Sequence, residues 1–208
     1  QKHMDRLVWA LGDIEATAPS HVLVTSADHV FNTDLYPVIE DHIASGRTAT
    51  VLTVDVPKVQ ARDNVVVLSG RGGQVTGVEV KPSRPSSGTV ATEIFIYRTD
   101  ALLGALEDLR RELKGESLGD FGEHLLPRLI EAGDVQAVGL EGYWRDVGQP
   151  GQYLQGHRDL IAGKVDVFNH PDRPVISHWE DLPPARVVAG SEVADSLISP
   201  GCVVGGHV

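Results

Sequence analysis

The chain has one cysteine in 208 residues, few aromatics, and no long apolar run. A single Cys202 excludes an intrachain disulfide and fits a reducing compartment. No segment approaches the roughly 20 apolar residues that span a bilayer. The opening "QKHMDRLVWALGD" has no apolar signal-peptide core, so the expected location is the cytoplasm, with no membrane partner. Cations are short too: 18 Lys and Arg stand against 29 Asp and Glu, a net charge of −11. That balance argues against nucleic acid, whose phosphates need clustered Lys and Arg. It leaves room for a phosphorylated small molecule, because a few local cations or a metal suffice for one phosphate.

What is present is strand–helix–strand alternation. "MDRLVWALGDIE" spaces Leu7, Leu11 and Ile14 as on an amphipathic helix. "HVLVTS" reads as a buried strand. "TDLYPVIEDHIASG" reads as a helix, with Thr33 or Asp34 as cap, Tyr36, Ile39 and Ile43 as buried face, and Gly46 as stop. "TATVLTVDV" is a further strand, and the pattern predicts an α/β fold on a mixed sheet. Between Asn64 and Tyr97, three short strand runs separated by glycine turns predict an antiparallel excursion, with "GRGG" as a hairpin turn rather than a phosphate cradle. "TDALLGALEDLRREL" and "GDFGEHLLPRLIEAG" are the next helices. The first buries Leu102, Leu103, Leu106 and Leu109; the second carries an Asp120–Glu123 capping box and Gly133 as stop.

The tail changes character. "HPDRPVISHWEDLPPARVVAG" is proline-rich and predicts an extended linker. In "SLISPGCVVGGHV", Ile198 and Val204 are six residues apart between Pro-Gly and Gly-Gly turns, the period of a parallel β-helix coil, with Cys202 as a core filler.

The chemistry-bearing candidates stand at strand ends. Asp28 follows the apolar run Val22–Leu23–Val24; in open α/β sheets ligands lie beyond the carboxyl ends of strands. It is either a turn aspartate or a ligand for Mg²⁺, which takes one or two carboxylates plus substrate phosphates. Asp146, in "GYWRDVGQP", occupies a similar place. The two can share one metal only if their strands are neighbours, which spacing does not establish. Arg145 is either a phosphate clamp or half of a surface ion pair. Lys81, before Pro82, is expected in an extended conformation that could aim its ammonium at an anion; otherwise it is a solvated loop lysine. The nine histidines show no metal-ligand spacing, and His29 is read as packing beside Asp28.

The stretches "VLVTSADHVFNTDLYPVIEDHIASGRTATV", "VKP", "GDFGEHLLPRLIEAG", "YWRDVGQPGQYLQGHRDL", "RPVISHWEDLPPARVV" and "SLISPGCVVGG" together resemble the sugar-nucleotide pyrophosphorylases, most closely the glucose-1-phosphate adenylyltransferase family. The resemblance implies a Rossmann-like mixed-sheet nucleotidyltransferase domain over 1–163, a linker over 164–190, and the start of a left-handed parallel β-helix over 191–208. It implies Mg²⁺ as cofactor, held by Asp28 and Asp146 as catalytic and metal residues, with Lys81 on the sugar phosphate; Arg145, read from its place beside Asp146, is the further substrate-binding candidate. The implied reaction joins ATP and glucose 1-phosphate into ADP-glucose and releases pyrophosphate, in glycogen or glucan synthesis. A homotetramer is implied by the same similarity.

The family's Gly-rich triphosphate loop and its arginine have no counterpart ahead of Asp28. On this reading the chain is incomplete at both ends and unable to catalyse by itself. Around the expected sugar pocket it also departs from the family pattern: Asp63–Asn64 replace Phe-Gly, Val80 replaces a glutamate, and Glu93 replaces a glycine. Two alternatives therefore stay open, a nucleotidyltransferase of other specificity, such as a mannose-1-phosphate guanylyltransferase, or a noncatalytic regulatory paralogue.

Overall fold

The structure, a computed structural model, describes residues 7–114, 116–166, 176, 178 and 181–208. The chain divides into two compact units. The first comprises Gln1–Ala27 and Thr33–Glu141; the second comprises Asp28–Asn32 and Gly142–Val208.

The first unit is built on a six-stranded mixed sheet. Its strands are β1 (His21–Thr25), β3 (Ala49–Asp55), β4 (Val65–Ser69), β5 (Val75–Val80), β6 (Thr89–Arg98) and β7 (Val135–Gly139). β3 pairs parallel with β7 and antiparallel with β6, while β1 and β4 both pair antiparallel with β6. The predicted α/β class and mixed sheet are what the chain adopts. β3 lies between two partners and buries its first five residues, which is why it reads as a near-continuous run rich in β-branched residues. The expected antiparallel excursion is present: β4 and β5 form a hairpin through a turn at Arg71–Gly73, closed by Gly70 N–H donating to the Gln74 carbonyl at 2.8 Å. Gly72 and Gly73 have positive φ there, as a tight turn requires.

Helices α1 (Leu11–Thr17), α2 (Tyr36–Ser45), α3 (Lys58–Ala61), α4 (Thr99–Leu113) and α5 (Leu125–Glu131) complete this unit. Helix α4 buries Leu102, Ala105, Leu106 and Leu109, a 3–4 spacing that makes one apolar stripe. Leu125, Leu126 and Leu129 of α5 join the same core with Phe95, Tyr97 and Phe121. In the expected capping box the Glu123 carboxylate accepts the Asp120 N–H at 3.1 Å; the helix itself begins at Leu125. No described helix is long and apolar enough to cross a membrane.

The face of α2 differs from expectation. Tyr36 and Ile43 are exposed, and the buried residue is His42. The hydroxyl of Thr50 on β3 lies 2.8 Å from His42 Nδ1, so a polar partner lets an imidazole take the inward position.

The second unit holds β2 (His29–Asn32), β8 (Tyr143–Asp146), α6 (Pro150–Ile161), β9 (Arg186–Val187) and β10 (Val203–Val204). β2 and β8 form an antiparallel ribbon, and β9 pairs parallel with β10. Of the expected linker, residues 167–175, 177, 179 and 180 lie outside the described residues; the described remainder is without helix and contains β9. Cys202 is exposed rather than a core filler: it sits in the turn before β10, its N–H on the Ser199 carbonyl and its own carbonyl accepting from Arg186.

Candidate metal centre and its support

The second unit brings Asp28 and Asp146 together. β2 and β8 pair with His29 opposite Asp146, so Asp28, just before the start of β2, comes beside Asp146 at the end of β8. Val147 N–H donates to the Asp28 carbonyl at 3.0 Å, which extends the ladder past Asp146. Gly148 N–H donates to Asp146 Oδ1 at 2.7 Å and fixes that carboxylate's rotation. A Cβ on Gly148 would stand 3.1 Å from Asp146 Oδ1 and 3.3 Å from Asp28 Oδ2, so both carboxylates reach toward the same bare glycine. Their side chains are 51% and 40% exposed, open to a ligand from solvent.

His29 closes the inner side. Its ring is 5% exposed and rests edge-on against Trp144 at 5.1 Å. Its Nε2 lies 3.8 Å from Asp28 Oδ1 and 3.9 Å from Asp146 Oδ1. The packing role expected for His29 holds, and the ring also faces both acids.

Strand alternation puts Arg145 on the other face of the ribbon, with Tyr143. There α6 supplies Asp159, 1% exposed. Its Oδ2 accepts from Tyr143 Oη at 2.9 Å and from Arg145 Nε and Nη2 at 3.0 and 2.7 Å. Its Oδ1 accepts from Gln155 Nε2 at 3.0 Å and Lys164 Nζ at 3.1 Å. Arg145 Nη1 donates to Gln152 Oε1 at 2.6 Å. Burial alone would raise the Asp159 carboxyl, but the four hydrogen-bonding side chains outweigh it and hold the group well below the usual carboxylate range. Burial pushes the Tyr143 phenol up. The Arg145 pair is thus buried at its acidic end, not a surface pair, and the network went unread in the sequence. Its one signal is the polar face Gln152–Gln155–Asp159 at helical spacing on α6.

Lys81 belongs to the first unit, exposed at the end of β5. Its backbone is not extended: φ is +44°. Lys81 N–H donates to the Asn64 carbonyl, completing the hairpin, and the chain then turns away at once through the left-handed region. Val80 and Asn64 flank this corner. Glu93 is the other unusual backbone, with φ +57° in the interior of β6, where the β3 register slips between Val51 and Thr53. Its carbonyl accepts from Ser26 N–H at 3.2 Å, just past the carboxyl end of β1.

Residues 6–163 match the nucleotidyl transferase family model, and the chain belongs to that family. Among curated proteins, it is similar to the glucose-1-phosphate adenylyltransferases of Streptomyces coelicolor (33% identical over 98% of this chain and 56% of the relative), Desulfitobacterium hafniense (31%, over 91% and 48%) and Thermotoga maritima (31%, over 90% and 44%). The chain spans about half the length of these relatives.

Proposed function

We propose that this chain is part of a sugar-1-phosphate nucleotidyltransferase that makes ADP-glucose and pyrophosphate from ATP and glucose 1-phosphate, in glucan synthesis. The observation that carries the reading is the convergence of Asp28 and Asp146 on Gly148 within a nucleotidyl transferase domain. Two exposed carboxylates offer hard oxygen donors, and a glycine between them leaves the space a cation and its phosphate ligands need, so the site fits Mg²⁺. When bound there, Mg²⁺ supplies positive charge that screens two anionic substrates from each other.

The chain's own residues do the rest. Asp28 and Asp146 hold the cation. Gly148 N–H fixes the rotation of Asp146, and His29 walls the inner side. Lys81 contacts the sugar phosphate, by resemblance to the family. Arg145, bonded to Asp159, Gln152 and Tyr143, acts from behind the site rather than on substrate. No protein nucleophile is needed, because the sugar phosphate oxygen itself attacks the triphosphate.

The assembly is proposed on the same grounds: a cytoplasmic homotetramer with a nucleotidyltransferase domain over 1–163, a linker over 164–190 and a left-handed β-helix starting at 191. Parallel pairing of Val203 with Arg186 and Val204 with Val187 supports the β-helix, since the chain returns alongside itself after one circuit. A second reading, another sugar 1-phosphate or base, is favoured by Glu93, which puts a carboxylate on left-handed backbone where the family pattern has glycine. Pyrophosphate release by the intact protein, over a panel of nucleoside triphosphates and sugar 1-phosphates, tests both. The ATP and glucose 1-phosphate pair is expected to be fastest. A faster different pair selects the second reading, and no turnover with any pair defeats both.

A further inference from the structure

We infer that Asp159, through Arg145 and Tyr143, is the positioning residue that sets how β8 presents Asp146 to a divalent cation. The inference rests on the metal reading of Asp28 and Asp146.

The argument starts from what a buried carboxylate costs. Asp159 is almost wholly enclosed on α6, and an enclosed charge is retained only with full hydrogen bonding. Here both oxygens are occupied, by Tyr143 and Arg145 on one and by Gln155 and Lys164 on the other. An apolar contact between α6 and β8 would give comparable stability without that cost. What the network adds to packing is direction, because bidentate, charge-assisted hydrogen bonds carry geometric specificity as well as energy.

The direction matters because of register. Tyr143 and Arg145 alternate with Trp144 and Asp146, so the network grips the back of the strand whose front carries Asp146 and whose other front residue packs on His29. Arg145 is bonded directly to Asp146 along the chain. A rotation of β8 about its axis that loosened Asp159 would swing Asp146 away from Asp28. Gly156 of α6 also lies against this strand; a Cβ there would meet Val147 and Arg145 at 3.5 and 3.7 Å, so helix and strand are in close contact just behind the site. Partners that orient metal ligands from behind are worth about tenfold or more in metal affinity.

The test is Mn²⁺ binding, read from the electron paramagnetic resonance of free Mn²⁺, together with amide hydrogen exchange at Val147 and Gly148 without metal. Wild type, Asp159→Asn, Tyr143→Phe and Asp146→Ala are compared well below their unfolding temperatures. Asp159→Asn is expected to weaken Mn²⁺ about tenfold and to speed exchange at both amides. Tyr143→Phe, which removes one hydroxyl and is the milder arm should Asp159→Asn not fold, is expected to weaken it about two- to threefold. Unchanged Mn²⁺ affinity and unchanged exchange in the folded variants would overturn the inference. Equal Mn²⁺ binding by wild type and Asp146→Ala would instead overturn the metal reading, and exchange at Val147 and Gly148 then decides the positioning role by itself.

Discussion

His29 and Asp146 face one another across the β2–β8 ribbon, with His29 Nε2 3.9 Å from Asp146 Oδ1. That one register position joins residues far apart in the chain, and it carries Asp28 into place as the next residue before His29. A slip of one residue would send Asp146 to the face where Arg145 meets α6. The site therefore depends on strand pairing first and on side-chain chemistry second.

Gly148 is the simplest probe of the space between the acids. Its Cβ would sit 3.1 Å from Asp146 Oδ1 and 3.3 Å from Asp28 Oδ2, closer than most methyl contacts. Gly148→Ala is expected to leave the fold intact and to weaken divalent binding about tenfold, by displacing the carboxylates and losing volume. Calorimetric titration with Mn²⁺ checks this, and unchanged affinity would place the cation elsewhere.

The alternation that makes the α/β sheet was legible because it is local: "HVLVT" and "TATVLTVD" carry their burial in their own composition. Asp28 and Asp146 were legible as strand-end acids for the same reason. Their proximity was not, since it rests on a pairing between residues more than a hundred positions apart that no short-range period encodes. Lys81 went the other way. The pre-proline rule excludes right-handed helix, but the hairpin's last rung to Asn64 made the left-handed region the solution. His42 was hidden by a tertiary partner, because only Thr50 on a neighbouring strand makes an inward imidazole acceptable.

His42 gives the chain an acid-sensitive stability. Burial, the neighbouring His21 and Arg98 lower its pKa to about 4, against 6.5 when unfolded, with Asp134 opposing; Nε2 has no hydrogen-bond partner among the described residues. A group that resists protonation only when folded contributes full stability above pH 6.5, and loses it as pH falls from 6.5 toward 4. The complete loss is about 3 kcal/mol. Urea unfolding of wild type and His42→Gln at pH 7.5 and pH 4.5 isolates the effect. Wild type is expected to lose about 2–3 kcal/mol more than the variant over that range. Equal losses would refute it.

Glu93 carries a backbone cost independent of its carboxylate. At φ +57° a Cβ is disfavoured by about 1 kcal/mol relative to glycine. Glu93→Gly is therefore expected to be about 1 kcal/mol more stable than Glu93→Ala, since both lose the carboxylate and only one relieves the backbone. Equal denaturation midpoints would mean the strand relaxes out of that conformation.

The central claim is tested most directly by pyrophosphate release from ATP and glucose 1-phosphate in the intact protein, as a Mg²⁺ titration of wild type beside Asp28→Asn and Asp146→Asn. The account predicts turnover that requires Mg²⁺ and falls at least about a hundredfold in either variant, with the circular dichroism spectrum unchanged. Full-rate turnover in folded Asp146→Asn, or turnover indifferent to divalent cation, would contradict it.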